Sequence, residues 1–125
     1  MSRLLREVRS CATGPAHTDE NGSLRMEFIF PPTFVGFNGH FPDRPILPGI
    51  VQVQTGMLTA GEGNMTLQKV VKAKFSRVVS PGELMVVKAE NQKKGDSILS
   101  SIIISVGGDT AATMTLALLP TGTLK

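Results

Sequence analysis

The sequence predicts an α+β fold in which one buried helix packs against an antiparallel sheet. Three observations carry this. Pro48 to Gly61 is apolar on almost every side and rich in small residues (Thr55, Gly56, Thr59, Ala60), the pattern of a helix buried close against something flat. From Leu67 to Leu119 there follow four strand-like runs divided by turn residues. Ahead of the helix, Leu24-Arg25-Met26-Glu27-Phe28-Ile29-Phe30 alternates large apolar and polar residues for most of its length, as a half-buried strand does, and stops at Pro31-Pro32. One helix followed by consecutive strands, with one or two before it, is the order of an α+β chain. At 125 residues it is expected to form a single domain, residues 1–125.

In chain order, Met1 to Ala12 fits two patterns. Leu4, Leu5 and Val8 suit a helical face, whereas Leu5 to Cys11 alternates like a strand, and the strand is the expectation. Thr13 to Ser23 reads as a turn holding a solvated His17. Thr33 to Pro48 is a proline-punctuated loop. Pro48 suits the start of the helix, because the N–H it lacks would be unpaired there. Gly56 inside the helix costs about 1 kcal/mol relative to Ala, which a close packing contact would offset. Leu67 to Val79, Leu84 to Gln92, Ile98 to Val106 and Thr110 to Leu119 are the four strands. Ser80-Pro81-Gly82, Lys93-Lys94-Gly95-Asp96 and Gly107-Gly108-Asp109 are their turns. Ser80 and Glu83 also have the spacing of a capping box, but the β-branched neighbours Val78, Val79, Val86 and Val87 favour a turn between strands.

Composition narrows the function. A single cysteine, Cys11, allows no internal disulfide and no cysteine metal cluster, and no metal or other cofactor is expected. No apolar run nears the roughly 20 residues that span a membrane, and the charged start lacks the apolar block of a signal peptide, so a cytoplasmic location is expected. A net charge of +3 without Trp or Tyr gives no nucleic-acid signature, but a basic surface suits an acidic protein partner.

The chemistry concentrates in Asn38 to Gln54. Pro42, Pro45 and Pro48 each fix φ and stiffen the loop that carries His40. The first N–H groups of the helix, near Gly49 and Ile50, would form a positive end with no side chain at Gly49 to block it. A fixed imidazole beside such an end suggests a base next to a site for a polarised carbonyl oxygen. Phe34, Phe37 and Phe41 lie close in sequence to His40. They either anchor the loop to the core or line a channel for an acyl chain, and both roles can hold together.

The segment GHFPDRPILPGIVQVQ resembles the GHFPxxPxxPGVLxxE signature of the FabA/FabZ dehydratases, the hotdog-fold enzymes of fatty acid synthesis. The resemblance continues more weakly from about Leu24 to Leu119 and includes Lys74 to Glu83. It implies a curved antiparallel sheet wrapped around the central helix, and reversible loss of water from a 3-hydroxyacyl thioester carried by acyl carrier protein or coenzyme A. His40 is then the base for the C2 proton, and the Gly49 N–H holds the thioester oxygen. The family's acid, fourteen residues after the histidine, is replaced here by Gln54, and the position one turn later is Leu58. An amide donates a hydrogen bond but gives up no proton at neutral pH. Asp43 and Glu62 are the nearby carboxylates. Asp43 could orient His40 or pair with Arg44, and Glu62 is about 12 Å further along the helix than Gln54.

On the same resemblance Phe37, Phe41, Pro48 and Ile50 are substrate-binding candidates. Arg44, Lys72, Lys74 and Arg77 are candidates for a carrier-protein patch, with a solvated strand face as the plainer reading of the three on the strand. Gln52 and Gln54 have a plain reading too, as fillers of a buried polar gap. In the family the histidine and the acid position face each other from different subunits, which implies a homodimer, with a trimer of dimers as the larger assembly. A binder that lost the acid, and a hotdog thioesterase, are the competing functions.

Overall fold

The computed structural model describes residues 3–37, 46–61 and 64–121. Its centre is helix α2, Gly49–Gly61, of which Val51, Gln52, Val53, Thr55, Gly56, Leu58, Thr59 and Ala60 are buried. Propensity alone would not hold a helix with two threonines and an internal glycine. Packing does: an added Cβ on Gly56 would stand 3.2 Å from Cγ1 of Ile102, itself fully buried, so the missing side chain is what lets the backbone approach the sheet.

The sheet has six strands: β1 (His17–Thr18), β2 (Leu24–Ile29), β3 (Met65–Phe75), β4 (Leu84–Lys94), β5 (Ser97–Val106) and β6 (Asp109–Pro120). Their spatial order is β1-β2-β4-β5-β6-β3, and each neighbouring pair is antiparallel. Consecutive hairpins join β4, β5 and β6, and β3 lies at the far edge beside β6. One cross-strand row, Met26, Val87, Ile104 and Ala112, is buried throughout, which identifies the face that packs on α2. The rows between, such as Arg25, Lys88, Ile103 and Thr113, form the outer face. The alternation seen in the sequence thus becomes a core face and a solvent face.

Three local expectations change. The strand expected over Leu67 to Val79 ends at Phe75, so Arg77 lies in the connection to β4 and not on the strand with Lys72 and Lys74. Arg3 to Ser10 is a helix, α1, not a strand. Leu5 and Val8, three apart, are both buried and Leu4 packs beside them, so the helical period wins over the shorter alternation once there is a core to pack on. His17 is exposed as expected but belongs to the short edge strand β1, paired with Arg25, rather than to a turn.

The connection from β3 to β4 fixes the entrance to α2. The Ala111 carbonyl accepts from the N–H groups of both Ser76 and Arg77, at 2.8 and 3.2 Å. Val79, buried, accepts from the Leu47 N–H at 2.8 Å, and Gly82 donates to Phe30 O at 2.8 Å. At Ser80 to Glu83 the turn and the capping contact coexist: Glu83 N–H bonds Ser80 O at 3.3 Å, and a Glu83 carboxylate oxygen accepts from the Ser80 N–H at 2.8 Å.

Candidate active site

The site is built on the first turn of α2. Pro48 O accepts from the N–H of Val51 at 3.1 Å and of Gln52 at 3.2 Å, so the helix begins at Gly49. The N–H groups of Gly49 and Ile50 precede these bonds and have no carbonyl within the helix to meet. They carry the positive end of the helix dipole. Leu47, whose N–H is held by Val79, fixes the approach to this turn.

A cleft of about 490 Å³ opens here, lined by Ile46 to Gly49, Gln52 and Phe75 to Val78. The Phe75 ring lies over Gly49, with Cζ 3.0 Å from where a Cβ would be. Nothing in the residue pattern marks Phe75 as a neighbour of Gly49, beyond its place in the stretch Lys74 to Glu83. Strand pairing makes them neighbours, because β3 crosses to the edge beside α2.

Among the candidates, Pro48, Gly49 and Arg77 come together around this cleft. Ile50 does not: it is 58% exposed on another side of α2. Phe37 is buried in an aromatic chain with Phe34 and Phe30, ring centroids 5.8 and 4.7 Å apart. There it anchors the loop and does not line the cleft. His40, Phe41, Asp43, Arg44 and Glu62 lie outside the described residues.

Arg77 is engaged by carboxylates. Its guanidinium meets both oxygens of Glu83, at 2.9 and 3.3 Å, and stands 3.7 Å from Asp109. The hydrogen bonds from Arg77, with the Ser80 N–H second, hold the Glu83 carboxyl below the usual carboxylate range. Arg77 therefore presents less net charge to a partner than a solvated arginine would.

Lys72 and Lys74 are exposed on the outer face of β3, opposite Thr115 and Thr113. Register shifts between Leu67 and Lys69 and between Val70 and Lys72 add extra residues to this strand. The second brings Lys69 onto the same face as Lys72 and Lys74, although the three are not evenly spaced in sequence.

Gln54 lies in a different sector from Gln52. Beyond the first residue of α2, the ones not buried are Ile50, Gln54, Met57 and Gly61, at i, i+4, i+7 and i+11. This single stripe is the side of the helix that the fold leaves half open. Gln52, two residues from Gln54, points toward the cleft side and is 3% exposed. The side-chain carbonyl oxygens of both glutamines are buried without a hydrogen-bond partner among the described residues.

The family model described as ApeI dehydratase, ApeI-like, matches residues 16–113. The chain belongs to the ApeI-like dehydratase family. It is 34% identical over 91 residues to the 3-hydroxyacyl-[acyl-carrier-protein] dehydratase FabZ of Latilactobacillus sakei, covering 64% of this chain and 65% of that one. It is 32% identical over 108 residues to the FabZ of Psychrobacter arcticus, covering 74% and 68%. The chain spans about two thirds of the length of these curated relatives.

Solved structures agree on the fold. A chain of the dehydratase heterocomplex ApeI:P from Xenorhabdus doucetiae superposes with a TM-score of 0.68 at 21% identity, over 86% of this chain and 96% of that one. The protein smu.793 from Streptococcus mutans, bound to acetyl CoA, superposes with a TM-score of 0.66 at 8% identity, over 86% and 87%. The fold of this ApeI-like chain is the hotdog, a sheet with one central helix against its inner face. None of its described helices is long and apolar enough to cross a membrane.

Proposed function

We propose that this ApeI-like chain is a 3-hydroxyacyl thioester dehydratase and hydratase, acting in the cytoplasm on acyl chains carried by acyl carrier protein or coenzyme A. The observation that carries the reading is the open first turn of α2. In a chain of a dehydratase family, the Gly49 N–H, at the positive helix end, borders a cleft large enough for a thioester. In the reaction His40 takes the C2 proton while charge builds on the thioester oxygen at the Gly49 N–H. The C3–O bond then breaks. Gln54 of a second copy of the chain holds the departing oxygen by a hydrogen bond but supplies no proton. The imidazolium of His40 returns its proton to that oxygen, so water leaves and the base is restored. Losing a dedicated acid costs about 10²–10⁴-fold in rate, so turnover is slow.

A second copy of the chain covers what the fold leaves open. From Gln68 onward every residue of β3 is exposed, and within the described sheet β3 pairs on one side only, with β6. On its inner face Val70, Ala73 and Phe75 stand uncovered beside the half-open stripe of α2 that carries Gln54. An edge of this length with an apolar inner face invites another strand. Lys69, Lys72 and Lys74 on the outer face form the patch for an acidic carrier. The heterocomplex of the Xenorhabdus protein makes a different chain the alternative occupant, and the mass of the purified assembly separates the two.

The half-buried amide at the acid position favours a second reading, a thioester binder without turnover. Enoyl-thioester formation by the purified chain, compared with His40→Ala, decides between them. The dehydratase reading expects measurable wild-type turnover and its loss, by at least about 10²-fold, in His40→Ala. No turnover with intact thioester binding would establish the binder.

A further inference from the structure

Gln52 is buried at the cleft, and only one end of its amide is used. Nε2 donates to Leu47 O at 3.3 Å. A backbone carbonyl only accepts, so the end that meets it is the NH₂ group, and the other end is the carbonyl. That carbonyl oxygen, Oε1, is buried and has no partner among the described residues. A buried acceptor left unpaired is costly, and such exceptions call for an explanation. Here the residue lines the same cleft as Gly49. Gln52 is three residues beyond Gly49, so the two share a face of α2, about 4.5 Å apart along its axis.

We propose that Gln52 Oε1 accepts a hydrogen bond from the 3-hydroxyl of the bound acyl thioester and makes the site selective for hydroxyacyl ligands. This rests on the acyl-thioester reading above and specifies it. The orphan group is an acceptor, so its ligand must bring a donor. In the acyl part of such a substrate the thioester offers only acceptors, and the 3-hydroxyl is the one donor. The enoyl product has none there. With the thioester oxygen at the Gly49 N–H, the hydroxyl carbon lies two carbons along the chain, within reach of the next turn of the helix. In the direction of hydration the same oxygen would orient the incoming water. The amide N–H groups of a pantetheine arm are the other donors present. Gln52 is 3% exposed, and a pantetheine arm reaches the site from solvent, which favours the hydroxyl.

The test is equilibrium binding, by calorimetry, of two unreactive ligands. Both are acyl pantetheine analogues in which an N-methyl amide, which like the thioester has no N–H to donate, replaces the thioester, one bearing a 3-hydroxyl and the other saturated at C3. They are offered to the wild-type chain and to Gln52→Met. The wild type should bind the hydroxy ligand about 3- to 10-fold more tightly, the range of one neutral hydrogen bond, and Gln52→Met should bind both alike. Equal wild-type affinities would overturn the proposal, whether or not the variant folds. So would a preference that survives in a folded Gln52→Met. An equal weakening of both ligands in the variant, with the preference kept, would assign Gln52 to the pantetheine arm and overturn the hydroxyl assignment. Absence of binding to either ligand would sink the acyl-thioester reading itself, a result distinct from binding without discrimination.

Discussion

The two edges of the sheet are built in opposite ways. One edge is β1, two residues long, with a single isolated bridge from Ala12 to Phe28 continuing its line. The other is β3, eleven residues long, with Val70, Val71 and Phe75 all exposed. Short strands blunt an edge, and a long one with an apolar inner face invites a partner. The short edge is finished within the chain. The long edge adjoins the half-open stripe of α2 that holds Gln54, and its Phe75 lies over Gly49. The unfinished part of the fold and the proposed chemistry are thus in one place.

The largest effect expected from breaking this contrast comes from Val70→Glu with Val71→Glu. Both side chains are already exposed, so the folded chain loses little, but a charge at the centre of an apolar interface should weaken association by at least about 30-fold, as loss of a hot spot does. Light scattering should show the mass falling from twice 13.3 kDa to that value. A wild type of 13.3 kDa at high concentration would remove the contrast.

Glu83 sharpens the comparison, because it braces the connection that leaves the long edge. Glu83→Gln should lower stability by about 1 kcal/mol at neutral pH, by weakening the Arg77 pair and the bond from the Ser80 N–H. The folded pKa of Glu83 is depressed, so its contribution is complete above the ordinary carboxylate range. It is lost as pH falls through the lowered folded value. Denaturant melts of the two proteins should therefore converge in acid. A difference that persists there would mean that the carboxylate charge is not its source.

At the short edge, His17→Ala should change stability by less than about 0.5 kcal/mol and leave the mass of the assembly unaltered, since His17 is exposed and at the end of its strand. A change of mass in this variant would show that both edges associate.

The sequence made the sheet and α2 legible because their periods and turn residues are clear, from the alternation around Phe28 to Gly107-Gly108. Segment Arg3–Ser10 was ambiguous because eight residues allow either period, and only burial of Leu5 and Val8 decides. Strand order was not legible: no local pattern says that β3 crosses to pair with β6, and hence none places Phe75 over Gly49. The signature around Gly49 was visible, and so was the glutamine, Gln54, where the resembled signature has a carboxylic acid. The orphaned carbonyl of Gln52 was not, because an unpaired group is defined by what surrounds it.

The most direct test is turnover of a 3-hydroxyacyl thioester by the wild-type chain beside Gln54→Glu. The dehydratase account predicts slow formation of the enoyl thioester by the wild type, and a gain of about 10²-fold or more when a carboxylic acid is restored at the open stripe of α2. Silence in both proteins, with the fold intact, would contradict it.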